Sequence, residues 1–223
     1  DFVQTSSHEF KTPLAIIQSS AYLMTRTDDK SIIAGKAVQI KHQVQRINKL
    51  VGMLQKIGKL RVEPKESQQP TSIEPVLERI VQRSQHDMLT LCNLTLTIDT
   101  DLDEICMHIG DVEDALWEIV SNAVQHRQPD THTQIDVHAS QNNAHVHIRI
   151  SDNGKGILDT DIHNIYEPFF RVDQARTQAG WGLGLTLAKT VIERHGGTIH
   201  ADSTFGVGSV FTVSLPVCAD VYL

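Results

Sequence analysis

Residues 115–126 read ALWEIVSNAVQH. Ala115, Leu116, Ile119, Val120 and Ala123 recur at helical spacing, and Glu118 and Asn122 stand four apart on one face. The stretch therefore predicts an amphipathic helix that turns its apolar side to a sheet and its acid–amide pair to a cleft. An Asn oxygen, together with phosphate oxygens and water, is suitable ligation for Mg²⁺.

Downstream of this helix come two segments that alternate polar and apolar residues, TQIDVHAS (133–140) and AHVHIRIS (144–151), as a β-hairpin would. The second runs into SDNGKGI (151–157), where an acid is followed by Gly154 and Gly156. An aspartate at a strand end can accept from an exocyclic amine, and the two glycines let the backbone approach a flat ring. For D-N-G alone, a surface turn is an equally good reading. AGWGLGLTLAK (179–189) then sets Gly180, Gly182 and Gly184 directly before a helix predicted over 185–195. Free backbone N–H groups at a helix start attract anions, and glycine permits close contact with phosphates. The spacing matches neither a Walker loop nor the dinucleotide G-x-G-x-x-G. GTIHADS and GVGSVFTVSL form a closing hairpin.

Upstream of 115 the chain changes character. Residues 73–86 read as a helix, 94–99 and 104–110 as strands, and RVEPKESQQPTS (61–72), with two prolines, as a linker. Before it lie two heptad seams. One is Val3, Ser7, Phe10, Leu14, Ile17, Ala21 and Met24; the other is Ile33, Ala37, Ile40, Val44, Ile47, Val51 and Leu54. TDDKS (27–31) separates them with turn and capping residues, so the two helices form an antiparallel hairpin. Two such stripes are not buried by one hairpin, and a second copy completing a four-helix bundle is the economical solution; a hairpin folded onto its own C-terminal domain is the alternative. The first helix contains SSHEFKTPLA (6–15), in which Pro13 removes the hydrogen-bond donor for the Glu9 carbonyl and gives the helix a place to bend.

The balance of charge divides the chain in the same place. Residues 1–69 hold 11 Lys and Arg against 6 Asp and Glu; the remainder holds 9 against 21. The acidic part is a poor partner for nucleic acid. Cys92, Cys106 and Cys218 are odd in number and widely spaced, with no C-x-x-C, which predicts reduced, buried thiols in a cytosolic setting. No apolar run approaches the length of a membrane span. His145 and His147 share one strand face, but no acid or Cys at ligand spacing joins them or His138, so they read as exposed strand residues and not as a zinc site.

The ordered series E-x-x-x-N, D-N-G-x-G, YEPFF (166–170) and G-x-G-L-G-L closely resembles the ATP-binding superfamily of histidine kinases, type II topoisomerases, Hsp90 chaperones and mismatch-repair ATPases. With SHEFKTPL (7–14) ahead of it, the chain resembles a sensor histidine kinase of two-component signalling over nearly its whole length. The resemblance implies an α+β fold: a helical hairpin (a dimeric four-helix bundle), then a two-layer α/β sandwich of the Bergerat or GHKL type. Its implied boundaries are 1–62 for dimerisation and phosphotransfer, 63–70 for a linker, and 71–218 for ATP binding.

The same resemblance assigns residues. His8 is the implied phosphoacceptor, one step round from the seam and open to solvent, with Glu9 holding its other ring nitrogen. Thr12, one turn on, is associated with orienting water for phosphatase chemistry. Asp152 is the implied acceptor for the adenine amine, with Gly154, Lys155, Gly156 and Ile157 shaping that pocket. Asn122, with Glu118, would hold Mg²⁺. Gly182, Leu183, Gly184 and Leu185 would hinge a lid over 168–181 and seat the triphosphate. Phe169 and Phe170 resemble the pair anchoring that lid, with core packing as their alternative role, and Arg171 matches a position that reaches the γ-phosphate. The implied cofactors are ATP and Mg²⁺; the implied partners are a second copy through residues 1–60 and the receiver domain of a response regulator. The implied origin is the cytoplasmic portion of an inner-membrane sensor, its membrane segments lying outside this sequence.

Three positions depart from the family. Glu118 stands where kinases with this histidine motif usually have Asn, as in the superfamily's hydrolases, and a carboxylate there can activate water. Gln125 replaces a usual Lys, leaving Lys155 and His126 as candidate cations near the phosphates. Trp181 replaces a small polar residue between the lid glycines. Two alternatives to the kinase stay open on these grounds: an ATP hydrolase of the superfamily, and a catalytically weak nucleotide-binding scaffold.

Overall fold

The computed structural model describes residues 2–62, 68–88, 92–129, 131–142, 144–172 and 180–218; the side chains of 2–8 lie outside that description. The chain divides into two compact units, Asp1–Gly58 and Lys59–Leu223.

In the first unit, α1 (Phe2–Met24) and α2 (Lys30–Val62) form the hairpin. Helix α1 runs on through Pro13, which is buried. Asp29 starts α2 by accepting from Ser31 N–H at 2.8 Å, an N-terminal cap that also lowers its carboxyl pKa. Each heptad seam is partly open. Phe10, Ile17 and Met24 are half-buried in the first seam, and Ile33, Ile40, Ile47, Val51 and Leu54 in the second. Leu14, Ala21, Ala37 and Val44 are exposed, Leu14 by 48% and Val44 by 43%. Two helices cover only a narrow stripe of one another, so part of each seam stays open.

The second unit is a two-layer sandwich. Its elements are β1 (Gln69–Thr71), α3 (Glu74–Met88), β2 (Cys92–Ile98), β3 (Ile105–Met107), α4 (Ile109–Gln125), β4 (Thr133–Asn142), β5 (His145–Asp152), α5 (Gly184–Arg194), β6 (Thr198–Thr204) and β7 (Gly208–Pro216). Five strands form one sheet in the order β2-β4-β5-β7-β6. Only β2 and β4 run parallel, and α4 lies in the crossover between them, as a parallel pair requires. Alternation places Ile135, Val137, Val146, Ile148, Ile150, Phe211, Val213 and Leu215 on the covered face, all buried. Leu116, Ile119 and Val120 of α4 and Leu187, Val191 and Ile192 of α5 are buried as well. Each such side chain contributes roughly 2 kcal/mol on leaving water. Asp136, His145, Arg149, His200 and Asp202 take the exposed positions of these strands, with His147 half-buried among them.

Three expectations are corrected. The stretch read as a linker carries β1, in which Gln69–Thr71 pair antiparallel with β3; the strand read at 104–110 is cut to Ile105–Met107 by the start of α4. The cysteines are not all reduced: Cys106 and Cys218 form a disulfide, and Cys92 alone is free and buried. Chain pairing brings the two together. Ile105 bridges Val217, and Cys218 N–H donates to Glu104 O at 2.8 Å, leaving the Cα atoms 5.0 Å apart.

His195, just after α5, is a buried joint between layers. Its Nδ1 donates to Val191 O at 2.7 Å, and its Nε2 accepts from His108 N–H at 3.1 Å, so the pattern requires the neutral ring. Burial lowers its pKa below the ordinary value; the Val191 carbonyl and Asp111 oppose this, while His108 and Arg194 add to it. A depressed histidine is neutral in the fold and protonates more readily when unfolded. The stability it confers is therefore kept at neutral pH and lost as pH falls below the unfolded histidine value. Thermal melting from pH 8 to pH 5 is expected to drop more steeply for the wild type than for His195→Gln; parallel profiles would reject the assignment.

Candidate functional site

Four segments converge at one end of the sandwich. The first is the exposed strip of α4. Glu118 and Asn122 are both half-buried, one turn apart, while their neighbours Trp117, Ile119, Ser121 and Ala123 are buried. Glu118 lies against the start of α5: a Cβ placed on Gly184 would stand 2.5 Å from Glu118 Oε2. Glycine at 184 is thus a condition for the carboxylate to sit beside the first turn of that helix. The backbone of His126 ends α4, its N–H donating to Asn122 O at 3.0 Å.

The second segment follows β5. Asp152 is its last residue, and Gly154 N–H donates to Asp152 Oδ1 at 2.7 Å. Burial raises the carboxyl pKa, and backbone N–H groups of Gly154 and Ser209 pull it back. An acid already held by two donors keeps lone pairs for a third, which suits it to an amine. Lys155 N–H donates to His126 O at 3.0 Å, tying this loop to α4; Ile157 N–H donates to Ser203 Oγ at 2.8 Å, tying it to β6. Gly156 has φ +66°, and a side chain there would overlap the Thr204 carbonyl. His126 and Lys155 thus contribute backbone groups to the site; the His126 side chain is exposed.

The third and fourth segments flank the stretch that the sequence reading takes as a lid. Phe169 N–H donates to Gly182 O at 2.8 Å, closing the base of a loop whose residues 173–179 lie outside the described ones. Gly182 has φ +68°, and a Cβ there would lie 2.6 Å from Phe170 O. Phe169 itself has φ +66°, a costly conformation for an aromatic residue, held by that hydrogen bond and by burial of its ring. Phe170 and Arg171 are half-buried. Leu183 is fully buried and precedes the first residue of α5; Leu185 is half-buried. Trp181, whose role the sequence leaves open, is buried at the lid base. Gln125 also acquires a task, its Oε1 accepting from Gly180 N–H at 3.3 Å.

Asp152, Gly154, Lys155, Gly156, Ile157, Asn122, Glu118 and residues 182–185 thus stand around one end of the sheet. Sequence reasoning missed Ser203 and Gln128, which bind the D-N-G loop from outside any motif; nothing in their local pattern marks them. On the hairpin, Glu9 is half-buried and Thr12 exposed, while the side chain of His8 lies outside the described residues.

Comparison with known proteins agrees with this geometry. Residues 107–219 match the model of the histidine kinase-, DNA gyrase B- and HSP90-like ATPases, and residues 1–62 match the His Kinase A (phospho-acceptor) domain. The chain is 30% identical over 227 residues to the sensor-like histidine kinase SenX3 of Mycolicibacterium smegmatis, covering 99% of this chain and 58% of that protein. It is 27% identical over 228 residues to the sensor histidine kinase WalK of Bacillus subtilis, covering 97% and 36%. The chain therefore spans about half the length, or less, of these curated relatives. Among solved structures, histidine kinase ThkA in complex with response regulator protein TrrA superposes with a TM-score of 0.78 at 17% identity, over 97% of this chain and 61% of that one. Acinetobacter baumannii histidine kinase AdeS gives 0.73 at 18% identity, over 95% and 98%. On the family match and the fold together, the chain belongs to the histidine kinase-, DNA gyrase B- and HSP90-like ATPase family and carries the catalytic core of a sensor histidine kinase.

Proposed function

We propose that this core binds ATP in the second unit, phosphorylates His8 and passes the phosphoryl group to an aspartate on a response regulator. The observation that carries the reading is the Asp152 carboxylate, half-buried at a strand end and oriented by Gly154 N–H, at the same end of the sheet as the glycine-led start of α5. One subsite takes a purine amine; the other takes the phosphates at the backbone N–H groups of the first turn of α5. Related structures support both partners: ShkA was solved with AMPPNP, and ThkA with a response regulator.

In the proposed reaction a nitrogen of the neutral His8 ring attacks the γ-phosphorus, the bond to the β,γ-bridging oxygen breaks, and ADP leaves. Glu9 holds the proton on the other ring nitrogen and offsets the charge that develops there. Arg171 reaches the transferring phosphoryl group. Thr12, exposed on α1, orients a water that hydrolyses the aspartyl phosphate of the response regulator, releasing inorganic phosphate. No cluster of three or more His, Cys, Asp or Glu occurs among the described residues, so a cation here takes Asn122 and Glu118 from this chain and fills its shell from phosphate and water. That sparse oxygen set fits Mg²⁺, which would offset the negative charge of the phosphates when bound.

The exposed Leu14, Ala21, Ala37 and Val44 support a homodimer through residues 1–60. We place dimerisation and phosphotransfer in 1–62, a linker over 63–70, whose last two residues already pair with β3, and ATP binding in 71–218. No helix among the described residues is long and apolar enough to cross a membrane; the reading places the core at the cytoplasmic side of an inner-membrane sensor. One observation favours a second reading, ATP hydrolysis: Glu118 Oε2 beside the start of α5 is placed to activate water. Incubation with γ-labelled ATP decides between them. Protein label that is stable to base and lost in acid is expected; free phosphate alone would favour the hydrolase, and no turnover of either kind would sink both.

A further inference from the structure

The connection between α4 and β4 holds a residue that the ATP motifs leave out. Gln128 is half-buried, and its Nε2 stands 3.0 Å from Gly154 O, 3.1 Å from Gly206 O and 3.4 Å from Asn153 O. An amide nitrogen carries two hydrogens, so one of these donations is shared. The three acceptors belong to two segments remote in sequence, the D-N-G loop and the turn between β6 and β7. The same turn also reaches the loop directly, Gly206 N–H donating to Lys155 O at 2.7 Å.

The Asn153 carbonyl and the Gly154 N–H are two ends of a single peptide group. That N–H is the one donating to Asp152 Oδ1 at 2.7 Å. A donor on the oxygen fixes the plane of the peptide and polarises its N–H, so the hydrogen bonds at its two ends reinforce each other. Gln128 thus donates at one end of the peptide whose other end meets the Asp152 carboxylate.

We propose that Gln128 is a positioning residue for base recognition: through the Asn153–Gly154 peptide it orients the Asp152 carboxylate and so sets the preference for a purine bearing a 6-amino group. The inference rests on reading Asp152 as the acceptor for that amine. It predicts an effect confined to the amine, not a general loss of nucleotide.

Affinities of the full chain for ATP and for purine riboside triphosphate, which lacks the amine, test this. Gln128→Met keeps the length of the side chain and removes both donors. It is expected to weaken ATP about tenfold, the effect of one hydrogen bond, and the analogue by no more than about twofold. Gln128→Asn, one methylene shorter and out of reach of Gly206 O, supplies a second measurement should the first variant melt early. Equal losses for both nucleotides, or an unchanged ATP affinity in a variant that melts like the wild type, would overturn the proposal. If the wild type binds ATP without preferring it to the analogue, the reading of Asp152 fails and the inference goes with it. If the wild type binds neither nucleotide, the nucleotide site itself is misassigned.

Discussion

Asp152→Asn is expected to cut ATP affinity by roughly a hundredfold while leaving the fold intact. The carboxylate offers two oxygens, both acceptors, already engaged by the Gly154 and Ser209 N–H groups and still able to receive an amine. An amide offers one oxygen and turns a donor toward whichever partner the oxygen abandons. The loss is one charge-assisted hydrogen bond together with a donor facing a donor, about 3 kcal/mol. Titration calorimetry measures it directly, with circular dichroism confirming that β5 and β7 remain paired. An affinity within threefold of wild type would remove Asp152 from base recognition. A pH consequence follows from the same burial. The carboxyl pKa is raised, so ATP affinity falls on acidification at a higher pH than an exposed aspartate would give.

His8→Gln should abolish protein labelling from γ-labelled ATP altogether, while ATP affinity stays within about twofold of wild type. Glutamine keeps polarity and helix propensity but has no nucleophilic ring nitrogen. Affinity survives because Asp152, Gly154 and the start of α5 all belong to the second unit, whereas residue 8 belongs to the first. Base-stable label persisting in His8→Gln would move the acceptor to another histidine. Loss of both label and affinity would mean that residue 8 serves the fold and not the chemistry. Together the two variants give opposite patterns, one losing nucleotide and the other losing only transfer.

How far these features were legible from the chain varies with their physical origin. The helix bearing Glu118 and Asn122 was legible because burial imposes a 3.6-residue period on Ala115, Leu116, Ile119, Val120 and Ala123, and the polar pair falls in the gap. The hairpins were legible through alternation. Gly182 and Gly184 stood out by residue type, since one needs a left-handed backbone and the other makes room for a carboxylate. The positive φ of Phe169 had no such marker, because the strain is carried by a residue type that normally avoids it. Strand β1 was hidden by Pro70 in a polar stretch, and it exists because β3 offers it an edge. Gln125 read as a missing cation, yet in the fold it receives the Gly180 N–H.

From the residues alone came the class of the two units, most of the order of their elements and candidate groups to meet a base, a metal and a phosphate, because periodicity and residue chemistry are local properties. Tertiary structure alone decided which distant groups act together. It joined Cys106 to Cys218 across 112 positions, set Glu118 against Gly184, and turned Gln128 onto the loop that aims Asp152. Such pairings depend on strand register and helix packing, whose energies are summed over the whole sandwich and leave no mark on any short stretch of chain.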